Sequence, residues 1–465
     1  MNSFIVHGHF YQPPREDPIS GIILDEKGPS PFTNWNEKIY VECYKPNTEL
    51  GNFGRISFNI GPTLVQWIDK YHQATLHSII QQDKLNLVKF GCGNAIAQSY
   101  HHTILPLQSK RDKSTQVRWG IVNFETHFGR KPEGFWMPET AMDMETLEVL
   151  ADAGIKFTIL APWQANYEGV DVTKPYRIKL DHNKSIIVFF YHADLSSLVS
   201  FNTYATQNAD RFAEFELLPA FRPTSKSQCI MIASDGELYG HHQQLRSFFL
   251  ERLLDGAVKP YQLRPIFPSL WLKENEVGET VEIKEYTSWS CHHGLGRWLG
   301  KCACTPGDKS WKFPLMHNFI TLAEKIDDHY YEFSRQFIDN PWLLRDRFIY
   351  VVLNLTSFDK LFFDITGKVI PTDTAERLHL LLKAQYERQR MFTSCGWFFE
   401  DFDRIEPRNN VSYAAQAIHL INLATGDDLS SEFAHELRKV RSSITGVSAE
   451  QIFVSHLERT KVPFK

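Results

Sequence analysis

Two carboxylates, Asp235 and Glu139, each follow a short apolar run of the kind that forms a buried strand. Residues 230–233 read Ile-Met-Ile-Ala, and Gly-Phe-Trp-Met-Pro precedes Glu139. General acid–base catalysis and glycosyl transfer both need two carboxyl groups held at a fixed separation. We therefore take Glu139 and Asp235 as a candidate catalytic pair.

Further ionisable and phenolic side chains crowd the turn that follows Asp235. Glu237, Tyr239 and His241 come within the next six positions, between glycines that let the chain turn tightly. Because Glu237 lies only two residues from Asp235, either carboxyl could be the acid on this evidence.

An N-terminal strand predicted over residues 4–10 places two histidines side by side. His7 and His9 share one face with Ile5, since alternate residues of a strand point the same way. The pair could ligate a metal, hydrogen-bond a polar substrate or lie in a satisfied polar core. A catalytic zinc usually has three protein ligands, and the sequence offers no clear third one, so metal ligation is the least favoured of these.

The elements that must position these residues alternate along the chain. Strands are predicted at 86–90, 136–139, 156–161, 176–180, 185–191, 230–233 and 280–283, and helices at 61–81, 109–128, 144–153, 210–218 and 244–254. Polar side chains follow the strands, which fits a (β/α) barrel or a doubly wound sheet equally well. The Asp-His-Asn-Lys segment between two of the strands predicts a hairpin.

Beyond residue 311 the pattern becomes helical and rich in aromatic residues. Helices are predicted at 314–337, 341–355, 374–392, 411–423 and 429–440, with no clear strand among them. A helical C-terminal domain is therefore expected to begin near residue 305.

Composition excludes several classes of protein. The 465 residues carry a net charge of only −5 and no basic run, so neither nucleic acid nor a membrane surface is an expected partner. There is no apolar window of about 18 residues that would span a bilayer. The seven cysteines form no regular framework, and the N-terminus resembles no signal peptide, so a cytoplasmic protein is expected.

Four blocks, in order along the chain, resemble glycoside hydrolase family 57, which contains α-amylase-like and α-glucan branching or transferring enzymes. They are residues 7–14 (HGHFYQPP), 91–98 with 102–106, 135–141 (FWMPETA) and 235–241 (DGELYGH). Residues 289–294 and 393–399 look like a separate branch of that family.

The resemblance implies an incomplete seven-stranded (β/α) barrel over residues 1–305 and a helical C-terminal domain over 306–465. It makes Glu139 the nucleophile and Asp235 the general acid/base of a retaining enzyme that needs no metal and no cofactor. The implied activity is hydrolysis or transfer on α-glucans or oligosaccharides, of amylase, 4-α-glucanotransferase or branching type. The residues expected to bind substrate are His7, His9, Gln12, Trp35, His102, Trp136, Glu237, Tyr239, His241, Trp289 and His292.

Two other classes of function stay open. One is a metal-dependent carbohydrate deacetylase or mannosidase-like hydrolase, with zinc held by His7, His9 and Asp235. The other is a non-catalytic glycan-binding barrel. No feature of the sequence indicates an oligomeric state.

A smaller question concerns Cys291, Cys302 and Cys304. They could form a small metal site, but the Cys-x-Cys spacing lacks the usual two-residue gap, so ordinary loop thiols are favoured.

Overall fold

The computed structural model describes residues 2–224, 227–300 and 302–461. The chain forms two compact units. The barrel unit comprises Met1–Gln12, Asp25–Tyr100 and Phe124–Ser290, and the helical unit comprises Pro13–Leu24, His101–Asn123 and Cys291–Lys465. The predicted domain division at residue 305 stays a prediction. Every helix in the described part of the chain is too short or too polar to span a bilayer.

All named strands of the described residues belong to the barrel unit. They are β1 (Asn2–Phe10), β2 (Ser57–Ile60), β3 (Ala97–Gln98), β4 (Gly134–Trp136), β5 (Phe157–Leu160), β6 (Tyr176–Lys179), β7 (Ser185–Phe190), β8 (Gln228–Asp235) and β9 (Arg264–Pro265). The helices in chain order are α1 (Trp35–Ile39), α2 (Lys45–Glu49), α3 (Pro62–Tyr71), α4 (Gln73–Phe90), α5 (Lys110–Phe128), α6 (Met144–Asp152), α7 (Ala193–Phe201), α8 (Ala209–Phe212), α9 (Arg246–Arg252) and α10 (Pro268–Glu274).

Seven strands run parallel in the order β8–β1–β2–β3–β4–β5–β7. The link between β2 and β3 is a single bridge from Phe58 to Ala95. The backbone N–H of His192, just after β7, donates to the carbonyl of Met231 in β8 at 2.7 Å and joins the two ends of the series. The predicted incomplete (β/α)7 barrel is therefore confirmed.

The predicted hairpin is also present, as an antiparallel pair of β6 and β7 at the edge of the five-stranded sheet. His182 and Asn183 adopt left-handed φ values of 57° and 59° between the two strands. This conformation suits the right-handed twist of a hairpin, and Asn tolerates it better than most residues.

The strand predicted at residues 86–90 is wrong, because these residues form the last turns of α4. Leu85 and Val88 are 67% and 79% exposed, so the apolar run does not mark a buried strand. Gly91 is the left-handed cap of this helix at φ 71°, and its N–H donates to the carbonyl of Leu87 at 2.8 Å.

The strand predicted at 280–283 is reduced to isolated bridges from Thr280 to Arg177 and from Ile283 to Ala165. Conversely, β2 and β3 were not predicted. They have only four and two residues, too few to show a periodic pattern.

The interior of the barrel explains where the polar side chains point. Ile5, Met231 and Ala233 belong to its buried apolar cluster. Because side chains alternate along a strand, His7 and His9 follow Ile5 on the interior face, and Asp235 follows Met231 and Ala233. All three therefore lie toward the carboxyl ends of parallel strands, where (β/α) barrels carry their sites.

The helical unit contains most of α5 and the remaining helices, and its predicted helical character is confirmed. The remaining helices are α11 (Lys312–Ser334), α12 (Pro341–Arg347), α13 (Ile349–Val352), α14 (Phe358–Thr366), α15 (Thr372–Arg390), α16 (Cys395–Phe398), α17 (Ile405–Thr425), α18 (Ser430–Leu437) and α19 (Ala449–Thr460). Asp112 forms buried ion pairs with Arg345 and Arg388 at 3.0 and 2.7 Å. Burial alone would raise the pKa of Asp112, but the two guanidinium charges lower it well below its usual range.

Candidate functional site

Glu139 occupies a strained turn directly after β4. Glu139 and Thr140 both adopt left-handed backbone angles, with φ of 60° and 46°. Fully buried Gln164 accepts a hydrogen bond from Thr140 Oγ1 and donates one to the Thr140 carbonyl, each at 2.9 Å. Such strain costs about 1–3 kcal/mol per residue and persists only where the surroundings hold it, as functional sites commonly do.

The carboxylate of Glu139 is held by two donors. Trp289 Nε1 and Ser290 Oγ donate to Oε2 at 3.0 and 2.7 Å, and the backbone N–H of Trp289 donates to the Glu139 carbonyl at 3.0 Å. Hydrogen bonds of this kind favour the ionised form of a carboxyl group. Since the side chain is only half-buried, Glu139 is an oriented carboxylate that a ligand can reach.

Asp235, at the end of β8, has the opposite protonation tendency. Its side chain reaches water, yet the surrounding protein displaces much of the bulk solvent. This desolvation, and then the negative charge of Glu139, raise the pKa of Asp235 to about 7. A carboxyl that keeps its proton up to about this pH can act as an acid beside a carboxylate that hydrogen-bond donors orient as a nucleophile.

Glu237 is buried behind this pair. It is 4% exposed, and its Oε1 accepts hydrogen bonds from Tyr44 Oη at 2.7 Å and from the Tyr11 N–H at 3.1 Å. Burial, aided by the charge of Asp235, raises the pKa of Glu237 to about 8. Because the protein encloses Glu237 while Asp235 reaches water, the geometry favours Asp235 as the acid.

The two N-terminal histidines belong to a buried network centred on Asn59. His7 Nε2 donates to Asn59 Oδ1 at 3.2 Å, and Asn59 Nδ2 donates to His9 Nδ1 at 2.8 Å. Ser57 Oγ lies 2.9 Å from His7 Nδ1, so both ring nitrogens of His7 face protein side chains. Burial lowers the pKa of His7 and of His9 to about 3, which keeps both rings neutral.

The rings of His7, His9, Trp136 and Trp289 pack against one another. The rings of His7 and His9 each lie parallel to Trp136, with centroids 4.9 Å away. Trp136 is fully buried and meets Trp289 edge-on at 4.9 Å. Buried Trp136 therefore packs against His7 and His9, whereas half-buried Trp289 hydrogen-bonds to Glu139.

The turn at Gly240 lies against the segment that carries Glu42. The φ of Gly240 is 150°, and an added Cβ would lie 2.2 Å from the carbonyl of Glu42, so the close approach requires glycine. The Glu42 side chain contacts His241 Nδ1 at 2.5 Å, and Trp35 meets the His241 ring edge-on at 5.9 Å. Tyr239 and Gln12 are buried, at 2% and 7% exposure.

His102 and His292 belong to the helical unit, and their predicted contacts with substrate stay predictions. His102 is buried, with φ of 53°, and its Nδ1 lies 2.7 Å from Ser394 Oγ. His292 is exposed.

Several residues of the site were not predicted as such: Asn59, Ser290, Gln164, Glu42 and Tyr44. Asn59 lies on the unpredicted β2. Ser290 had one available signal, because it directly follows Trp289 in a block that was already singled out.

Among the described residues, the group of side chains placed to hold a metal ion is Cys291, His293, Cys302 and Cys304, all in the helical unit. His7, His9 and Asp235 do not form such a group among the described residues.

Comparison with known proteins bears on this site. Residues 17–289 match the model of glycosyl hydrolase family 57, and residues 308–465 match a domain of unknown function (DUF3536). Alpha-amylase 1 of Dictyoglomus thermophilum is 23% identical over 214 residues, which cover 44% of this chain and 29% of that protein. The match thus spans less than a third of the length of that curated relative.

Two solved structures show the same fold. An exo-type maltose-forming amylase from Pyrococcus sp. ST04 has a TM-score of 0.74 at 15% identity, covering 98% of this chain and 88% of that one. A GH57-type branching enzyme from Pyrococcus horikoshii has a TM-score of 0.60 at 15% identity, covering 99% and 94%. Since the family model matches more than half of the 465 residues, the chain belongs to glycosyl hydrolase family 57.

Proposed function

We propose that the protein is a retaining enzyme that cleaves α-glucans or oligosaccharides and passes the sugar to water or to another sugar hydroxyl. The observation that carries the proposal is the contrast between two neighbouring carboxyls. Trp289 and Ser290 hydrogen-bond to the carboxylate of Glu139, while desolvation and the charge of Glu139 raise the pKa of Asp235 to about 7. The family membership supports the same roles.

In the first step, the carboxylate of Glu139 attacks the anomeric carbon as the bond to the leaving oxygen breaks. Asp235 gives its proton to that oxygen, so the leaving sugar departs as an alcohol. The product is a covalent glycosyl ester of Glu139.

Ester formation removes the negative charge of Glu139, and that charge is one of the two causes that hold the pKa of Asp235 high. The pKa of Asp235 therefore falls in the intermediate, and the same residue becomes a base. Asp235 takes a proton from water or a sugar hydroxyl, whose oxygen attacks the anomeric carbon and releases Glu139. Two inversions give net retention.

The substrate class rests on kinship and on one surface feature. The relatives compared above are named as an amylase and a branching enzyme. Trp289 is only half-buried and hydrogen-bonds to Glu139, so the apolar face of a pyranose could stack on it. We assign His7, His9 and Trp136 to positioning of this surface, since burial separates them from solvent.

The metal-dependent alternative finds less support. A zinc ligand needs a ring nitrogen with an available lone pair, and both nitrogens of His7 already face Ser57 and Asn59.

A cytoplasmic location stays part of the proposal. All seven cysteines are described, and none of them forms a disulfide.

The proposal is tested with purified protein and a panel of maltooligosaccharides, starch and glycogen, with cellooligosaccharides as the β-linked control. We expect turnover of α-linked substrates alone, with products that first appear as the α-anomer in NMR spectra. Binding of α-glucans without turnover would contradict the proposal in favour of a non-catalytic barrel. Activity that a chelator abolishes while the protein stays folded would favour a metal-dependent hydrolase.

Removal of either donor to Glu139 should slow the reaction without abolishing it. A hydrogen bond to a charged group contributes about 1.5–3 kcal/mol, so Ser290→Ala or Trp289→Phe should lower kcat roughly 10- to 100-fold. Steady-state kinetics on a maltooligosaccharide measures the loss. Trp289→Phe keeps an aromatic face, so its KM should change less than its kcat, and the reverse pattern would assign Trp289 to binding alone.

A further inference from the structure

Four side chains of the helical unit converge on one point. The segment 291–304 forms no helix or strand among its described residues. Within it, the ligand atoms of Cys291, His293, Cys302 and Cys304 all lie within 4.8 Å of one another. We call this group the thiol cluster.

The distances within the thiol cluster suit a single bound ion. Cys291 Sγ lies 3.2 Å from Cys302 Sγ, and His293 Nδ1 lies 3.3 Å from Cys302 Sγ and 3.2 Å from Cys304 Sγ. Zinc bonds of about 2.3 Å to sulfur and 2.0–2.1 Å to nitrogen give a tetrahedron with edges of about 3.5–3.8 Å. The three observed distances fall short of those edges by at most about 0.6 Å, and all the other pairs of ligand atoms lie within 4.8 Å.

We propose that Cys291, His293, Cys302 and Cys304 bind one structural zinc ion. Three thiolates and one imidazole are a donor set that closed structural zinc sites use, and four protein ligands leave no open position for catalysis. None of the four ligands has a role in the proposed catalytic machinery, so the site is a separate feature of the chain.

The ligands come in two matched pairs. Cys291-x-His293 supplies the first two, and Cys302-x-Cys304 supplies the others. Taken alone, the three cysteines favoured ordinary loop thiols, because the Cys302-x-Cys304 spacing lacks the usual two-residue gap. His293 is the ligand that completes the set, and its Nδ1 lies beside the sulfur atoms of Cys302 and Cys304.

Backbone donors surround the sulfur atoms. The N–H of Cys304 donates to Cys302 Sγ at 3.1 Å, and those of His293 and Arg297 are directed at Cys291 Sγ. N–H donors to the ligand atoms are a common outer layer of metal sites and stabilise the thiolate form.

Charge and packing around the thiol cluster fit as well. Three thiolates and one Zn²⁺ leave a net charge of −1, and two cations lie close by. Lys309 Nζ donates to the carbonyls of Cys302 and Thr305 at 2.8 Å, and Lys312 Nζ donates to the carbonyl of Arg297 at 3.0 Å. A Cβ at Gly296 would lie 3.2 Å from Cys302 Cβ, so the glycine lets the two ligand pairs approach.

A bound metal ion would also order the segment 291–304, whose described residues form no helix or strand. A loop of this length without regular structure is uncommon in a compact domain unless something orders it. Binding of a metal by four ligands supplies free energy that becomes folding free energy of the segment. A disulfide between Cys291 and Cys302 would use only two of the four groups and would not explain why His293 and Cys304 converge with them.

Metal analysis of the full-length protein, purified under reducing conditions and dialysed against metal-free buffer, tests the proposal. We expect about one equivalent of zinc in the unmodified protein, and less than a tenth of that in His293→Ala and Cys304→Ser. Both of these side chains are exposed, so their substitution leaves no core cavity. Matched controls are His292→Ala, next to the proposed ligand, and Cys395→Ser, a cysteine outside the thiol cluster; both should keep the metal.

Cobalt(II) added to metal-free protein reports geometry as well as binding. The unmodified protein should show the intense visible absorption of tetrahedral thiolate coordination, and the two ligand variants should not. Zinc-loaded protein should also resist proteolysis between residues 291 and 304 better than metal-free protein. Iron in place of zinc, a Cys291–Cys302 disulfide that persists under reducing conditions, or no uptake of zinc or cobalt would each overturn the proposal.

Discussion

Substitution of Glu139 by alanine should reduce turnover of α-glucans by at least about 10⁴-fold, the scale of loss when a catalytic nucleophile is removed. The substitution takes away the carboxylate that Trp289 and Ser290 position. Steady-state kinetics measures the loss, and calorimetry should show that a maltooligosaccharide still binds. Glu168→Ala, an exposed carboxylate of the same unit, should behave as the unmodified enzyme.

Chemical rescue distinguishes loss of the nucleophile from structural damage in the Glu139→Ala variant. In the Glu139→Ala variant, azide can take the place of the nucleophile, attack the anomeric carbon from the same side and give a β-glycosyl azide. Recovery of activity with that product supports the assignment. A variant that stays folded by circular dichroism but keeps at least a tenth of the original kcat would contradict it.

Substitution of Asp235 by asparagine should cost about 10²–10⁴-fold on glucans, because the leaving sugar can no longer be protonated. Aryl glycosides with acidic leaving groups need little protonation, so their first step should lose far less. Here azide attacks the glycosyl-enzyme and should give an α-glycosyl azide. Asp181→Asn, at an exposed turn, is the matched control.

Azide rescue of a Glu237→Gln variant, compared with that of Asp235→Asn, decides which of the two carboxyls is the acid/base. If Asp235 is the acid/base, azide should not accelerate Glu237→Gln, because its glycosyl-enzyme is still hydrolysed with the help of Asp235. Rescue of Glu237→Gln by azide, without rescue of Asp235→Asn, would make Glu237 the acid/base in place of Asp235.

The raised pKa of Asp235 predicts the pH dependence. The donor must be protonated for the first step, so kcat/KM should fall as the pH rises through about 7, the pKa of Asp235. Since the charge of Glu139 contributes to that value, Glu139→Gln should lower the pKa of Asp235, which NMR titration of its side chain can follow. An unchanged pKa in that variant would mean that the two carboxyls do not interact.

The sequence predicted the parts of the site that local pattern encodes. Glu139 and Asp235 each follow an apolar strand, and alternation places His7 and His9 on the interior face of β1. The burial of Trp136 and His7 was not predictable, because aromatic and histidine side chains serve in cores and in binding surfaces alike.

Long-range contacts account for most of what the sequence did not reveal. Ser290 hydrogen-bonds to a carboxylate 151 positions earlier, and Asn59 joins histidines 50 and 52 positions away. Local periodicity carries no information about such pairs. The strand predicted at residues 86–90 was wrong for a related reason, since a short apolar run fits a strand and the end of a helix equally well.

The central claim, a covalent intermediate on Glu139, is tested most directly by trapping it. The unmodified enzyme would be mixed with a fluorinated α-glucosyl fluoride, from which the glycosyl-enzyme forms faster than the glycosyl-enzyme is hydrolysed. The protein would then be digested and analysed by mass spectrometry. The account predicts one added sugar per chain, on the peptide that contains Glu139 and at that residue. Turnover without any adduct and with inverted products, or an adduct on Asp235, would contradict it.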